Sequence, residues 1–307
     1  MTTSVTYRID ELVPYVNWIY FFHAWGFAPR FASVARAHDR MGGRAAWLEA
    51  QRDEDRQQAE AAAALYDEAK QVLHGLAGSY QTYARLGLFP AWSHSDDLVM
   101  RLDDGSRFVL PCLRQQRVVH EGDPYLSLAD FLPPEGHDAD RIGVFATTVD
   151  AGMEKLFADD EYRRMLVQTL CDRLAEATAE VFHRDVRRHY WGYAPDEDLP
   201  IDDLLAERYQ GIRPAVGYPS LPDQSVAFLL DRVLRMSDIG ISLTETGAMR
   251  PHASVCGLMF AHPAARYFAV GPIDRCQLED YARRRHCTVE RLIPYLQANY
   301  SPSSSHL

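Results

Sequence analysis

The chain has 307 residues, of which 47% are hydrophobic, 24% charged and 11% aromatic. That composition excludes wholesale disorder and collagen-like repeats, and it gives no transmembrane signature. Asp and Glu total 43 against 32 Lys and Arg, a formal charge of -11, which argues against an extended nucleic-acid surface.

The uncharged run from Leu12 to Pro29 is broken by Pro14, Asn17, His23 and Gly26, so it reads as a buried core segment and not as a membrane span. No basic leader precedes it, and the expected location is cytoplasmic. Helix-forming residues dominate 44–76, which predicts one long helix ending near Gly75 and Gly78. Leu98–Leu102 and Arg107–Leu110, joined by Asp103-Asp104-Gly105-Ser106, predict a hairpin. RIGVFATTV at 141–149 predicts a strand, and 159–190 predicts a second long helix.

A Pro- and Gly-rich stretch follows at 191–223. A helix at 225–236 and strands at 241–246, 254–261 and 266–271 come next, then helices at 275–286 and 288–297. Residues 1–300 read as one domain and 301–307 as a disordered tail. The order lacks regular strand–helix alternation, so the fold class is α+β (mixed α/β) with a largely antiparallel sheet.

Cys112, Cys171, Cys256, Cys276 and Cys287 are scattered and form no C-x-x-C pair, so they read as buried free thiols. Dinucleotide, P-loop and nucleophile-elbow motifs are missing from the sequence. Glu176, Glu180 and His183 share one helix face, but no second Glu-x-x-His completes a di-iron set, so they read as a polar stripe and no metal is expected. The strongest local signal is 208–223, RYQGIRPAVGYPSLPD. Its prolines and glycines fix a backbone, Arg213 supplies a planar fork for a carboxylate, and Tyr218 supplies a ring and a hydroxyl. Aromatic clusters stand at 190–195 and at Tyr267-Phe268, where strand alternation puts one ring inside and one outside.

These residues carry a resemblance. YWGYAP (190–195), YQGIRPAVGYP (209–219), LTE (243–245), ASVCG (253–257), His262-Pro263, Arg266-Tyr267 and QLEDYARR (277–284) match in order. So do Leu88-Phe89-Pro90, LRQQ (113–116) and LADF (128–131). Together they resemble the S-adenosylmethionine (AdoMet)-binding activation domain of cobalamin-dependent methionine synthase. The resemblance implies a single C-shaped domain with a twisted antiparallel sheet, flanking helices and AdoMet on its inner face. It places Arg213 at the ligand's carboxylate end, Tyr267 and Phe268 at a Tyr-Tyr pair, and Glu176, Tyr218 and Ala215 at the site. Asn17 stands where the family has an Asp paired with the ligand's ammonium.

In that family AdoMet and an electron from a flavodoxin-type donor remethylate an oxidised corrinoid. No D-x-H-x-x-G is present to bind cobalamin, so the expected corrinoid lies on a separate protein, with this chain as a free-standing activation domain. Trp92, Leu221, Gln224 and Arg250 depart from the family pattern. Those departures leave open an enzyme acting on AdoMet itself, without corrinoid or pyridoxal phosphate. It would cyclise AdoMet to 1-aminocyclopropane-1-carboxylate and methylthioadenosine with Tyr218 as candidate base, or transfer a group to a small acceptor. A third alternative is a module that senses AdoMet.

Overall fold

The computed structural model describes residues 2–38, 42–118 and 120–300. Its centre is a six-stranded, wholly antiparallel sheet. The strands are β1 (Thr2–Arg8), β2 (Gln81–His94), β3 (Asp97–Arg101), β4 (Arg107–Pro111) and β5 (Asp140–Val149). A ribbon of β6 (Ser242–Leu243) and β7 (Met249–Arg250) stands apart, and β8 (Ser254–Met259) closes the main sheet beside β5.

Residues 142–149 are buried without interruption because both faces of β5 are covered. Phe145 and Val149 join a core with the helices Arg56–Ala77 and Glu161–Asp185, while Ile142, Val144 and Ala146 face the opposite core with the helix Val226–Leu234. A third, smaller core gathers around the C-terminal helix Arg275–Arg284. The mixed α/β class and the antiparallel sheet therefore stand as read from the sequence.

The central strand β2 was not foreseen, because Gly87 and Pro90 break its pattern. On one edge β2 pairs with β5 through Pro90, opposite Arg141. On its other edge β1 ends at Gly87 and β3 begins at Ala91, so Pro90 falls in the gap between two partners, where no N–H is needed. The expected 44–76 helix is two helices, Gly43–Glu49 and Arg56–Ala77. The break centres on Asp55, which is buried and accepts bonds from Arg30 (2.8 Å) and Arg52 (3.1 Å). Segment 241–246 contributes only the two residues of β6. Segment 266–271 is irregular and not a strand, being held by single bonds such as Val270 N to Pro219 O (2.9 Å). The tail at 301–307 lies outside the described residues.

The expected loop at 191–223 holds one short helix, Ile201–Leu205, and otherwise supplies a lining segment for β8. Ile212 and Phe260 exchange both backbone bonds (3.0 and 2.9 Å), Leu258 donates to Pro214 (3.0 Å), and Val216 donates to Cys256 (2.9 Å). Two glycines permit this approach. A Cβ on Gly257 would lie 2.3 Å from the Pro214 carbonyl oxygen, and one on Gly211 (φ +91°) would lie 2.4 Å from that of Phe260.

Gly257→Ala therefore pushes the loop off the sheet, and a loss of about 1–3 kcal/mol is expected in denaturant unfolding, the scale of an overpacked core. An unchanged midpoint would mean that the loop does not rest on β8.

Candidate functional site

The loop, the Glu161–Asp185 helix and the N-terminal helix Trp18–Ala24 converge on a cavity of about 810 Å³. Asn17, Glu176, Arg213, Ala215, Tyr218, Tyr267 and Phe268, the seven residues singled out in the sequence, all line it. Tyr267 and Phe268 both reach the cavity, contrary to alternation, because their segment is not a strand. The Tyr267 hydroxyl accepts the Arg213 backbone N–H (3.0 Å), and Ser220 Oγ accepts the Phe268 N–H (3.0 Å).

Asn17 caps the Trp18–Ala24 helix, its Oδ1 accepting from Ile19 N (3.1 Å). Glu176 and Glu180 lie one turn apart on the long helix. The Tyr218 hydroxyl donates to Glu176 (3.2 Å), and the carboxylate, with some burial, pushes the phenol up to about 12. Tyr218 is therefore protonated at neutral pH and presents a donor, which fits the role of candidate base poorly.

Arg213 is more constrained than a free fork. Its Nη2 and Nη1 bind both oxygens of Glu180, the second contact at 3.1 Å, and Nη1 also donates to the Tyr209 hydroxyl (2.6 Å). The side chains of Arg213 and Glu180 keep only 10% and 12% of their exposure. Burial opposes the charge of Arg213, but Tyr209 and Glu180 beside it keep it above the ordinary arginine value. Behind this pair the Arg187 guanidinium stacks on the Tyr209 ring (3.8 Å to the centroid) and forms a buried ion pair with Glu197 (2.6 Å).

His183 packs edge-on to Tyr209, with Nδ1 3.4 Å from Arg213 Nη1. Burial, then Arg213 and Arg187, hold its pKa well below the ordinary 6.5, so the ring is neutral. Of the polar stripe, Glu180 and His183 thus stand against Arg213 and Glu176 against Tyr218, and no metal-holding cluster occurs among the described residues.

Sequence reading missed Tyr15, Tyr20, Arg173 and Glu207, which also line the cavity. The first two lay inside a run assigned to the core, and Arg173 stacks over Tyr20 (5.7 Å). Glu207 carries a carboxyl raised by burial. The signal for Glu180 was present in the stripe, but only the fold supplies its arginine. Trp92, Leu221, Gln224 and Arg250 do not line the cavity. Trp92 Nε1 bonds the His137 carbonyl (2.9 Å), Leu221 is buried in the core, and Gln224 and Arg250 are exposed. Three of the five thiols are buried, whereas Cys276 is exposed and Cys287 intermediate. Among the described residues no helix is long and apolar enough to cross a membrane.

Residues 8–286 match the family model of the vitamin B12 dependent methionine synthase activation domain. The structure is also similar to a crystal structure of the MetH reactivation domain bound to AdoHcy. The two share 35% identity and a TM-score of 0.83 over 98% of this chain and 91% of that one. The chain belongs to the vitamin B12-dependent methionine synthase activation-domain family.

The neutral His183 makes a prediction about pH. An unfolded histidine takes up a proton below about 6.5 whereas the buried one does not, so stability falls as pH drops through that value. In His183→Gln the pH dependence of the unfolding free energy between pH 6.5 and 5 should flatten by up to about 1.4 kcal/mol per pH unit. An unaltered slope would contradict a buried neutral ring.

Proposed function

Given that membership, we propose that the chain binds AdoMet in the cavity beneath the 213–220 loop and presents its methyl group for reductive methylation of a corrinoid. The corrinoid is held outside residues 1–307, on a separate protein in the reading taken from the sequence, and a flavodoxin-type donor supplies the electron. The match to a domain crystallised with AdoHcy carries this reading, since it covers nearly all of both chains.

The cavity suits the ligand on its own terms. Its volume of about 810 Å³ lies within the ~300–1,000 Å³ usual for small-molecule sites. Its ionic lining is Glu176, Glu180 and Glu207 against Arg173 and Arg213, an excess of one negative charge. AdoMet carries a carboxylate, an ammonium and a sulfonium, an excess of one positive charge. Tyr15, Tyr20, Tyr218, Tyr267 and Phe268 offer faces for the adenine and the sulfonium.

The protein's contribution is positioning and exclusion of water, because the reduced corrinoid is itself the nucleophile. Neither the tyrosine nor the histidine nearby is set up as a base at neutral pH: Tyr218 is pushed up to about 12, and His183 is fully buried behind Arg213. That counts against cyclisation of AdoMet with Tyr218 as the base.

Calorimetry with AdoMet should give a saturable isotherm, and Arg213→Ala should weaken it about 30-fold or more, ~2 kcal/mol or above for one partner of a buried charge contact. With cob(II)alamin, a one-electron reductant and methyl-labelled AdoMet, label should appear in methylcobalamin, while AdoMet incubated with the protein alone stays intact. Methylthioadenosine formed from AdoMet alone, above a no-protein control, would contradict the proposal.

A further inference from the structure

The ligand's carboxylate and ammonium sit on the same carbon, so whatever receives the ammonium must lie beside whatever receives the carboxylate. Of the two arginines that line the cavity, Arg213 is the one whose fork already holds a carboxylate, that of Glu180, through both oxygens. Glu176 is one helical turn away and accepts the Tyr218 hydroxyl. Asn17 is uncharged, and its amide oxygen already caps a helix through Ile19 N. A negative charge for the ammonium therefore has to come from somewhere other than Asn17.

Resting on the AdoMet-binding reading above, we propose that Glu180 is the acidic partner of the ligand's α-ammonium. On binding, the Glu180–Arg213 pair exchanges partners, so that Arg213 takes the ligand carboxylate and Glu180 takes the ammonium. The charge arithmetic favours exchange over simple addition. A carboxylate arriving at an arginine already matched by a buried carboxylate meets little net positive charge. A zwitterion that inserts between the two leaves each buried ion paired at both ends of the step.

The exchange also gives the buried Arg213–Glu180 ion pair at the cavity wall a role. Tyr209, hydrogen-bonded to Nη1 at 2.6 Å, keeps the guanidinium in place while Glu180 is released. Asn17, in turn, is a helix cap that needs no charge.

The test uses calorimetry with three ligands: AdoMet, decarboxylated AdoMet, which keeps the ammonium, and the analogue with hydrogen in place of the ammonium. Glu180→Gln should weaken AdoMet and decarboxylated AdoMet at least tenfold and the deaminated analogue less than threefold. Equal weakening of AdoMet and the deaminated analogue would make Glu180 only a support for Arg213 and overturn the proposal. Unchanged AdoMet affinity would overturn it as well.

If the single variant does not fold, the double variant Glu180→Gln with Arg213→Met removes both charges together. That protein should bind AdoMet and the deaminated analogue within threefold of each other, and discrimination as large as that of the native protein would overturn the proposal. Failure of the native protein to bind AdoMet is a separate result, and it would remove the AdoMet reading itself.

Discussion

The site depends on one close approach, that of the 211–216 backbone to β8 across Gly257. Four backbone bonds lay the loop against the strand and its continuation, and the absence of a side chain at Gly257 lets the Pro214 carbonyl lie where a Cβ would stand. Arg213 is fixed at its Cα by that seam and at its backbone N–H by Tyr267. Further along, the loop is anchored by Asp223, whose buried carboxylate receives Tyr281 (2.8 Å) from the Arg275–Arg284 helix and Arg285 (2.5 Å) from its C-cap. A loop with three prolines and two firm ends can hold a cavity wall without regular secondary structure.

Behind that wall the charges are arranged in depth. Glu197 holds Arg187, Arg187 stacks on Tyr209, Tyr209 receives Arg213, and Arg213 grips Glu180. Each link offsets part of the cost of burying the next, since an unpaired ion in this environment costs far more than a paired one. Tyr193 ties the layer to the loop by donating to the Gln210 carbonyl (3.2 Å). The YWGYAP segment thus acts at a distance from the cavity, by supporting the loop that lines it.

The short Pro- and Gly-rich stretch made one wall of the cavity legible. Prolines, glycines, an arginine and a tyrosine within eleven residues carry local geometry that needs no tertiary context. The resemblance added residues distant in sequence, and the fold brings all seven to one cavity. Legibility failed where tertiary contacts decide. β2 hides behind Pro90 because its gap exists only once β1 and β3 are placed. The helix break at Asp55 depends on Arg30, 25 residues away. Glu180 read as one acid of a polar stripe because its partner lies 33 residues on. The strand expected at 241–246 was too long because its β-branched residues promise more than the two-residue pairing of β6 with β7 delivers.

The central claim is that AdoMet occupies the cavity formed by the loop, the long helix and the 264–268 segment. Hydrogen–deuterium exchange with and without AdoMet tests it directly. The account predicts slowed exchange in 211–220 and 264–268 and around 17–20, with the β3–β4 hairpin unchanged. Exchange unaffected in those segments at a saturating AdoMet concentration, or slowed mainly in the hairpin, would contradict it.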